Sequence, residues 1–235
     1  MFKTLLFDLD GTLLPLDREE FITRYLESIA PRFAHLCKPA DFVKKLLQST
    51  HVMMVNKNPE KTNEEVFWED FIPRTGLSRE ELLPIFTDYY SLVFPGLRRH
   101  TRPEPLAQRI VDLAFAQKRE VVIATNPVFP ETAIRQRLKW VGIDHLPFRL
   151  ITTYENMHFC KPYLEYYEEI LTKLNRDPRE CLMIGNDTRE DLAAAGVGIA
   201  TYLVKNHLVN DDTREAYETN FEGYLEDLHQ FICSL

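Results

Sequence analysis

Two aspartates stand one residue apart in Phe7-Asp8-Leu9-Asp10-Gly11-Thr12, at the end of a short apolar run. Carboxylates placed this way can attack an electrophile, move a proton or hold a hard cation. Three later stretches carry residue types that would complete such chemistry. Thr125-Asn126 offers a hydroxyl and an amide. His158-Phe159-Cys160-Lys161-Pro162 offers a lysine, and Gly185-Asn186-Asp187-Thr188-Arg189-Glu190-Asp191 offers further acids. Clustered ionised carboxylates repel one another unless positive charge sits among them. A divalent ion with oxygen ligands, usually Mg²⁺, meets that need. The lysine and hydroxyl add donors for an anion, so the set fits a phosphoryl group held for in-line attack.

These residues must be brought to one place, and the flanking patterns say how. Short apolar runs occur at residues 4–9, 120–125, 149–153, 181–185 and 199–204. Runs of this length without polar alternation predict strands covered on both faces. Helical patterns at 105–117, 130–141 and 162–174 lie between them, each with proline in or before its first turn. Alternation of strand and helix predicts an α/β fold, a doubly wound parallel sheet. In such sheets ligands bind beyond the carboxyl ends of the strands, where all four stretches fall.

Residues 15–103 break the rhythm. They contain no good strand run and predict four helices, at about 18–33, 41–54, 63–73 and 79–93. Arg102-Pro103-Glu104-Pro105 reads as the return linker. The expected organisation is therefore an α/β core of residues 1–14 and 104–235, with a helical insert at 15–103.

Length and composition agree with a soluble globular chain: 235 residues, 45% hydrophobic and 27% charged. The formal net charge of −8 argues against nucleic acid as partner. Residues 15–103 carry 13 basic and 13 acidic residues, so the excess acid lies elsewhere, 15 against 23. Part of it sits near the C-terminus, at Asp211, Asp212, Glu215, Glu218, Glu222, Glu226 and Asp227, and reads as a solvated surface. Four cysteines without CxxC spacing predict reduced thiols and a cytoplasmic protein. No apolar run is long enough for a membrane helix, and Asp8 and Asp10 interrupt the N-terminal one.

The four stretches together resemble the motifs of the haloacid dehalogenase-like hydrolase superfamily, and the insert resembles that family's four-helix cap. The resemblance covers the whole chain. It implies that Asp8 is a nucleophile forming an aspartyl-phosphate. It implies that Asp10 protonates the leaving oxygen and then activates water, and that its main-chain carbonyl binds the metal. Thr125, the Asn126 amide, Lys161 and Gly11 would bind phosphate, with Thr12 supporting the loop. Mg²⁺ would be held by Asp8, Asp10 and either Asn186 or Asp187, with Asp191 bonded behind them. Dehalogenases of this superfamily lack an acid at the position of Asp10, because halide leaves without a proton. The resemblance therefore implies a phosphatase for small phosphomonoesters. Its rivals are a phosphomutase, a phosphonate-cleaving enzyme using one of Lys38, Lys44, Lys45, Lys57 or Lys61, and a non-catalytic binding protein.

Plainer readings stand beside these. Thr188 and Asp191 fit a capping box for a helix at 189–195. His158 and Cys160 read as loop and packing residues. In the insert, His51, Asn56, Lys57, Asn63, Trp68 and Arg74 could face a substrate, yet no spacing singles one out.

Overall fold

The computed structural model describes residues 2–210 and 217–235. Asp211, Asp212 and Glu215 of the acidic tail lie outside the described residues. Six parallel strands form one sheet in the order β3-β2-β1-β4-β5-β6. They are β1 (Thr4–Phe7), β2 (Glu120–Ile123), β3 (Leu150–Ile151), β4 (Cys181–Gly185), β5 (Ala200–Val204) and β6 (Phe221–Gly223). Five match the predicted runs. The sixth, Phe-Glu-Gly at the sheet edge, is three residues long and half exposed, so it leaves no apolar run to read.

The order reverses at β1, which pairs with β2 on one side and β4 on the other. That reversal opens a crevice beyond the end of β1, between the loops that follow β2 and β4. Alternation along β1 sends side chains to two cores. Leu5 and Phe7 pack with α5 (Pro105–Ala116), α6 (Glu131–Val141) and α8 (Leu225–Cys233). Leu6 packs on the opposite face with Tyr166, Tyr167 and Ile170 of α7 (Leu164–Leu174). Both faces of the sheet are therefore covered, as continuous apolar strands require.

Between β1 and α5 the chain is helical: α1 (Arg18–Ile29), α2 (Pro39–Met54), α3 (Asn63–Thr75) and α4 (Arg79–Asp88), with short 3₁₀ and π turns after α1 and α4. Asp17 caps α1, and α3 and α4 begin with capping boxes, Thr62 with Glu65 and Ser78 with Glu81. Phe33, Phe42, Phe67, Trp68, Phe71 and Phe86 form a common aromatic cluster. Phe33 stacks on Phe42 at 4.1 Å between centroids, and Trp68 meets Phe86 edge-on at 5.7 Å. The start of α3 is bonded to loops of the sheet. The Asn63 and Glu64 amides donate to the Met157 and Tyr154 carbonyls, each at 2.8 Å.

The predicted helix at 189–195 is absent. Residues 188–191 form a turn, and a 3₁₀ helix runs Leu192–Val197 with no side-chain cap. Thr188 bonds Asn210, and the Asp191 carboxylate is drawn elsewhere.

Phe71, buried against the rings of Phe42, Phe67, Trp68 and Phe86, is the test of the aromatic cluster. Phe71→Ala is expected to cost about 3–5 kcal/mol, measured by urea unfolding. A loss under about 1 kcal/mol would show that the cluster relaxes freely around the hole.

Candidate active site

The Asp8 main chain extends the β1 ladder by one bond, its N–H donating to the Ile184 carbonyl at 2.9 Å. The chain then coils around the Leu9 carbonyl, which accepts from the amides of Thr12, Leu13 and Leu14. Gly11 makes the coil possible with φ of +87°, a conformation that disfavours a side chain. A Cβ at Gly11 would also lie 2.4 Å from Asn186 Nδ2. The tight turn thus presents Asp8 and Asp10 in the wall of one cavity of about 880 Å³.

Asp8 is fixed from two sides. Lys161 Nζ donates to its Oδ1 at 2.9 Å. The Thr12 hydroxyl faces its Oδ2 at 3.1 Å and Asn186 Oδ1 at 2.9 Å, so one hydrogen lies between two acceptors. Lys161 is 1% exposed and also donates to Asp191 Oδ1 at 2.6 Å. Asp191 Oδ2 in turn accepts the Asp187 amide at 2.9 Å. Space for this carboxylate exists because residue 185 is glycine: a Cβ there would fall 2.1 Å from Asp191 Oδ2. Burial alone pulls the Lys161 pKa down. The flanking Asp191 and Asp8 charges outweigh it and hold the ammonium well above its usual range. Burial pushes Asp191 up, against the pull of Lys161.

Asp10 pairs with a residue the sequence did not mark. Arg137 of α6 is wholly buried, donates to Asp10 Oδ2 and lies over the Phe129 ring at 4.6 Å. It stands between Ile134 and Leu138 on the buried stripe of α6. A charged residue at an apolar-stripe position is the signal that would have found it. Burial raises the Asp10 pKa, and Arg137 opposes that rise. Asp10 Oδ1 and Arg137 Nη2 have no hydrogen-bond partner.

Arg18, at the start of α1, bonds Glu190 at 3.1 Å and lies 3.6 Å from Asp187 Oδ2. This joins the helical insert to the loop after β4; Arg18 had no motif to mark it, and Glu190 stood in the acidic stretch without a role of its own. Asp187 Oδ1 accepts the amides of Arg189 and Glu190. Thr125 sits in the cavity wall, its carbonyl held by the Thr152 and Tyr166 hydroxyls at 2.7 and 3.0 Å. Asn126 lines the same wall, 3.5 Å from the Lys161 carbonyl.

The remaining candidates separate. His158 bonds Glu169 at 2.7 Å, and Cys160 is buried, 3.4 Å from Asn63 Nδ2, with its thiol pKa pushed up by burial. Asn63 holds the insert on the sheet loops through Pro127 and Phe159. Lys57 pairs with Glu165, and Arg74 with Asp70. Trp68 lines a second cavity, between the insert and the loop after β2.

Among the described residues no three His, Cys, Asp or Glu side chains form a ready-made metal cage. Ion pairs nevertheless gather acids here, Lys161 with Asp8 and Asp191, Arg137 with Asp10, and Arg18 with Asp187 and Glu190. The Asp8, Asp10 and Asp187 carboxylates in the cavity wall are oxygen donors of the kind that fit a hard divalent ion.

Residues 2–198 match the haloacid dehalogenase-like hydrolase family, and the chain belongs to it. A stretch of 86 residues is 31% identical to the glyceraldehyde 3-phosphate phosphatase of Methanothermobacter thermautotrophicus, covering 36% of this chain and 37% of that protein. The pyrophosphatase PpaX of Bacillus cereus is 22% identical over 93% of this chain and 90% of its own. Among solved structures, a HAD phosphatase from Thermococcus onnurineus superposes with a TM-score of 0.58 at 18% identity, over 99% of this chain and 98% of its own. The L-2-haloacid dehalogenase of Xanthobacter autotrophicus gives 0.58 at 15% identity over both full chains.

Lys161→Met leaves Asp8 and Asp191 facing each other without a cation, at an expected cost of about 3–5 kcal/mol. Adding Asp191→Asn removes one of the two charges, so the double variant should regain about half of that. Urea unfolding of the four proteins in the cycle checks both statements. Strict additivity would mean the two side chains do not stabilise each other.

Proposed function

We propose that this hydrolase is a divalent-metal-dependent phosphatase acting on a small phosphomonoester through an aspartyl-phosphate. One observation carries the reading: Asp8 and Asp10 line a single cavity, and each carboxylate is held by its own buried cation. Dehalogenase and phosphatase structures share the fold, so the fold does not choose between them. Asp10 favours the phosphatase, because an alkoxide leaving group needs a proton and a halide does not.

In this mechanism an Asp8 oxygen attacks phosphorus while Lys161 keeps its charge in place. A new bond joins that oxygen to phosphorus, the bond to the ester oxygen breaks, and Asp10 gives its proton to the leaving alkoxide. The alcohol departs. Asp10, now ionised, takes a proton from water as that water attacks phosphorus. The Asp8–phosphorus bond breaks, releasing inorganic phosphate and restoring Asp8. Thr125, the Asn126 amide and Lys161 hold the phosphoryl oxygens, and the Gly11 turn lets them approach closely. The Asp8 and Asp187 carboxylates and the Asp10 main-chain carbonyl would hold the ion, Mg²⁺ by resemblance, which supplies positive charge opposite the transferring group. Asp187 is preferred to Asn186 because a carboxylate is a better ligand for a hard divalent ion than a neutral amide. Asp191 fixes Lys161 and the Asp187 amide behind this set. Residues 15–103 act as the cap that shields the site from water, and 1–14 with 104–235 as the core.

Phosphate release from a panel of metabolite phosphates is expected to require added Mg²⁺, to stop with EDTA and to return on adding the metal back. Asp8→Asn should lower it by at least about a thousandfold, with the thermal midpoint little changed. Asp10→Asn should cost about 10²–10⁴-fold on alkyl esters and less on a nitrophenyl ester, whose leaving group needs no proton. Full activity of Asp8→Asn would refute the mechanism.

A further inference from the structure

A second cavity of about 370 Å³ lies between the helical insert and the loop after β2. It shares Arg18, Ile22, Asn126, Val128 and Phe129 with the wall of the first, so it opens beside the place where phosphorus would sit. Tyr25, Leu46, Phe67, Trp68, Phe86 and Phe129 give it an apolar and aromatic lining. Its size falls at the lower end of small-molecule pockets, about 300–1,000 Å³.

The polar groups in this wall are mostly engaged already. The hydroxyls of Tyr25 and Tyr90 bond each other at 2.9 Å. Those of Thr50 and Thr87 donate to the Leu46 and Leu83 carbonyls of their own helices, each at 2.9 Å. Glu64 pairs with Arg79, and Glu155 accepts the Glu131 amide at the start of α6. Arg18, the cation of the lining, is committed to Glu190. The Trp68 indole N–H interacts with the Tyr154 hydroxyl of the same wall, and the buried Asn126 side-chain oxygen lacks a hydrogen-bond partner. A polyhydroxylated group would therefore find few partners here, and a second anionic group would find no uncommitted cation. An apolar ring would lose only water.

We propose that this cavity takes the alcohol half of the phosphomonoester and selects an aromatic alcohol of one or two rings over sugar-like, carboxylated or second-phosphate groups. The proposal rests on the phosphatase reading and names its substrate class. It departs from the small polar substrates in the names of the relatives, because selection is set by the lining of this cavity.

The test compares initial rates of phosphate release by the Mg²⁺-loaded full chain from 2-naphthylmethyl, benzyl and glycerol phosphates, 2-phosphoglycolate and pyrophosphate. The first three leave as primary alcohols, so differences among them report binding of the alcohol half. The kcat/KM for the naphthylmethyl ester is expected to exceed that for glycerol phosphate by about 30-fold, the gain of burying one aromatic side chain. Leu83→Glu, on the partly exposed rim, should cut that ratio at least about fivefold by placing a charge in the apolar lining. Trp68→Phe should lower it as well, while keeping an aromatic ring in the wall. Isothermal titration with 2-naphthylmethylphosphonate, which cannot be hydrolysed, should show binding at least about tenfold tighter than methylphosphonate. Equal rates on the naphthylmethyl and glycerol esters, with equal phosphonate affinities, would overturn the proposal and leave the phosphatase reading intact. Tight, Leu83-sensitive phosphonate binding with no ester hydrolysed would support the cavity assignment and overturn the phosphatase reading.

Discussion

The Lys161 ammonium, buried between Asp8 and Asp191, is the constraint on which the site depends. Removing an ammonium and two carboxylates from water costs several kcal/mol per ion, and only close, fully bonded geometry offsets it. The surrounding sequence supplies that geometry. Gly185 leaves room for the Asp191 carboxylate, the Asp187 amide holds its other oxygen, and the Thr12 hydroxyl faces the far oxygen of Asp8. The loops after β1 and β4 and the segment before α7 are joined through this one cation. A phosphoryl group entering beside these carboxylates would call for further positive charge, which the proposed divalent ion would supply.

A second buried cation makes the two aspartates of the opening turn different. Leu5 and Phe7 face the α5, α6 and α8 side of the sheet, and Leu6 faces the α7 side. Lys161 reaches Asp8 from the segment before α7, while Arg137 reaches Asp10 from α6. Two carboxylates one residue apart are thus held by cations arriving over opposite faces of the sheet. That separation keeps Asp10 from competing for Lys161, and leaves Asp8 as the carboxylate pinned by the lysine. A tight turn with Gly11 at its centre is what allows the two side chains to diverge so quickly after the strand.

Much of this was legible in the sequence, for physical reasons that also explain what was not. Strands buried on both faces are continuous apolar runs, so five of them stood out, while Phe221–Gly223 at the half-exposed edge had no such pattern. Motif residues follow strand ends, so Asp8, Asp10, Thr125 and Asp187 could be listed before their cavity was known, and Lys161 before its buried place beside Asp8 was. Arg137 and Arg18 come from helices, where a single arginine is ordinarily a surface residue. Only its place on the buried stripe of α6 distinguishes Arg137, and nothing local distinguishes Arg18. The Thr188–Asp191 pattern misled because a capping box and a buried ion pair compete for the same carboxylate. With Lys161 fixed 2.6 Å from Asp191, the charged partner prevailed over a helix N-terminus.

Chemistry and selectivity also occupy different parts of the chain. The groups that would handle the phosphoryl transfer come from short loops at strand ends, where residue type and spacing are closely constrained. The groups that would meet the alcohol half come mainly from α1 to α4, where the requirement is for apolar bulk at helical spacing, and many sequences satisfy it. A relative 22% identical over nearly the whole chain can therefore share the first set and differ throughout the second. What would select the alcohol in this chain is the state of the wall itself. Its Tyr25, Tyr90, Thr50 and Thr87 hydroxyls are bonded to one another or to their own helices and Glu64 is paired, which leaves mainly rings and aliphatic side chains beside the place proposed for phosphorus.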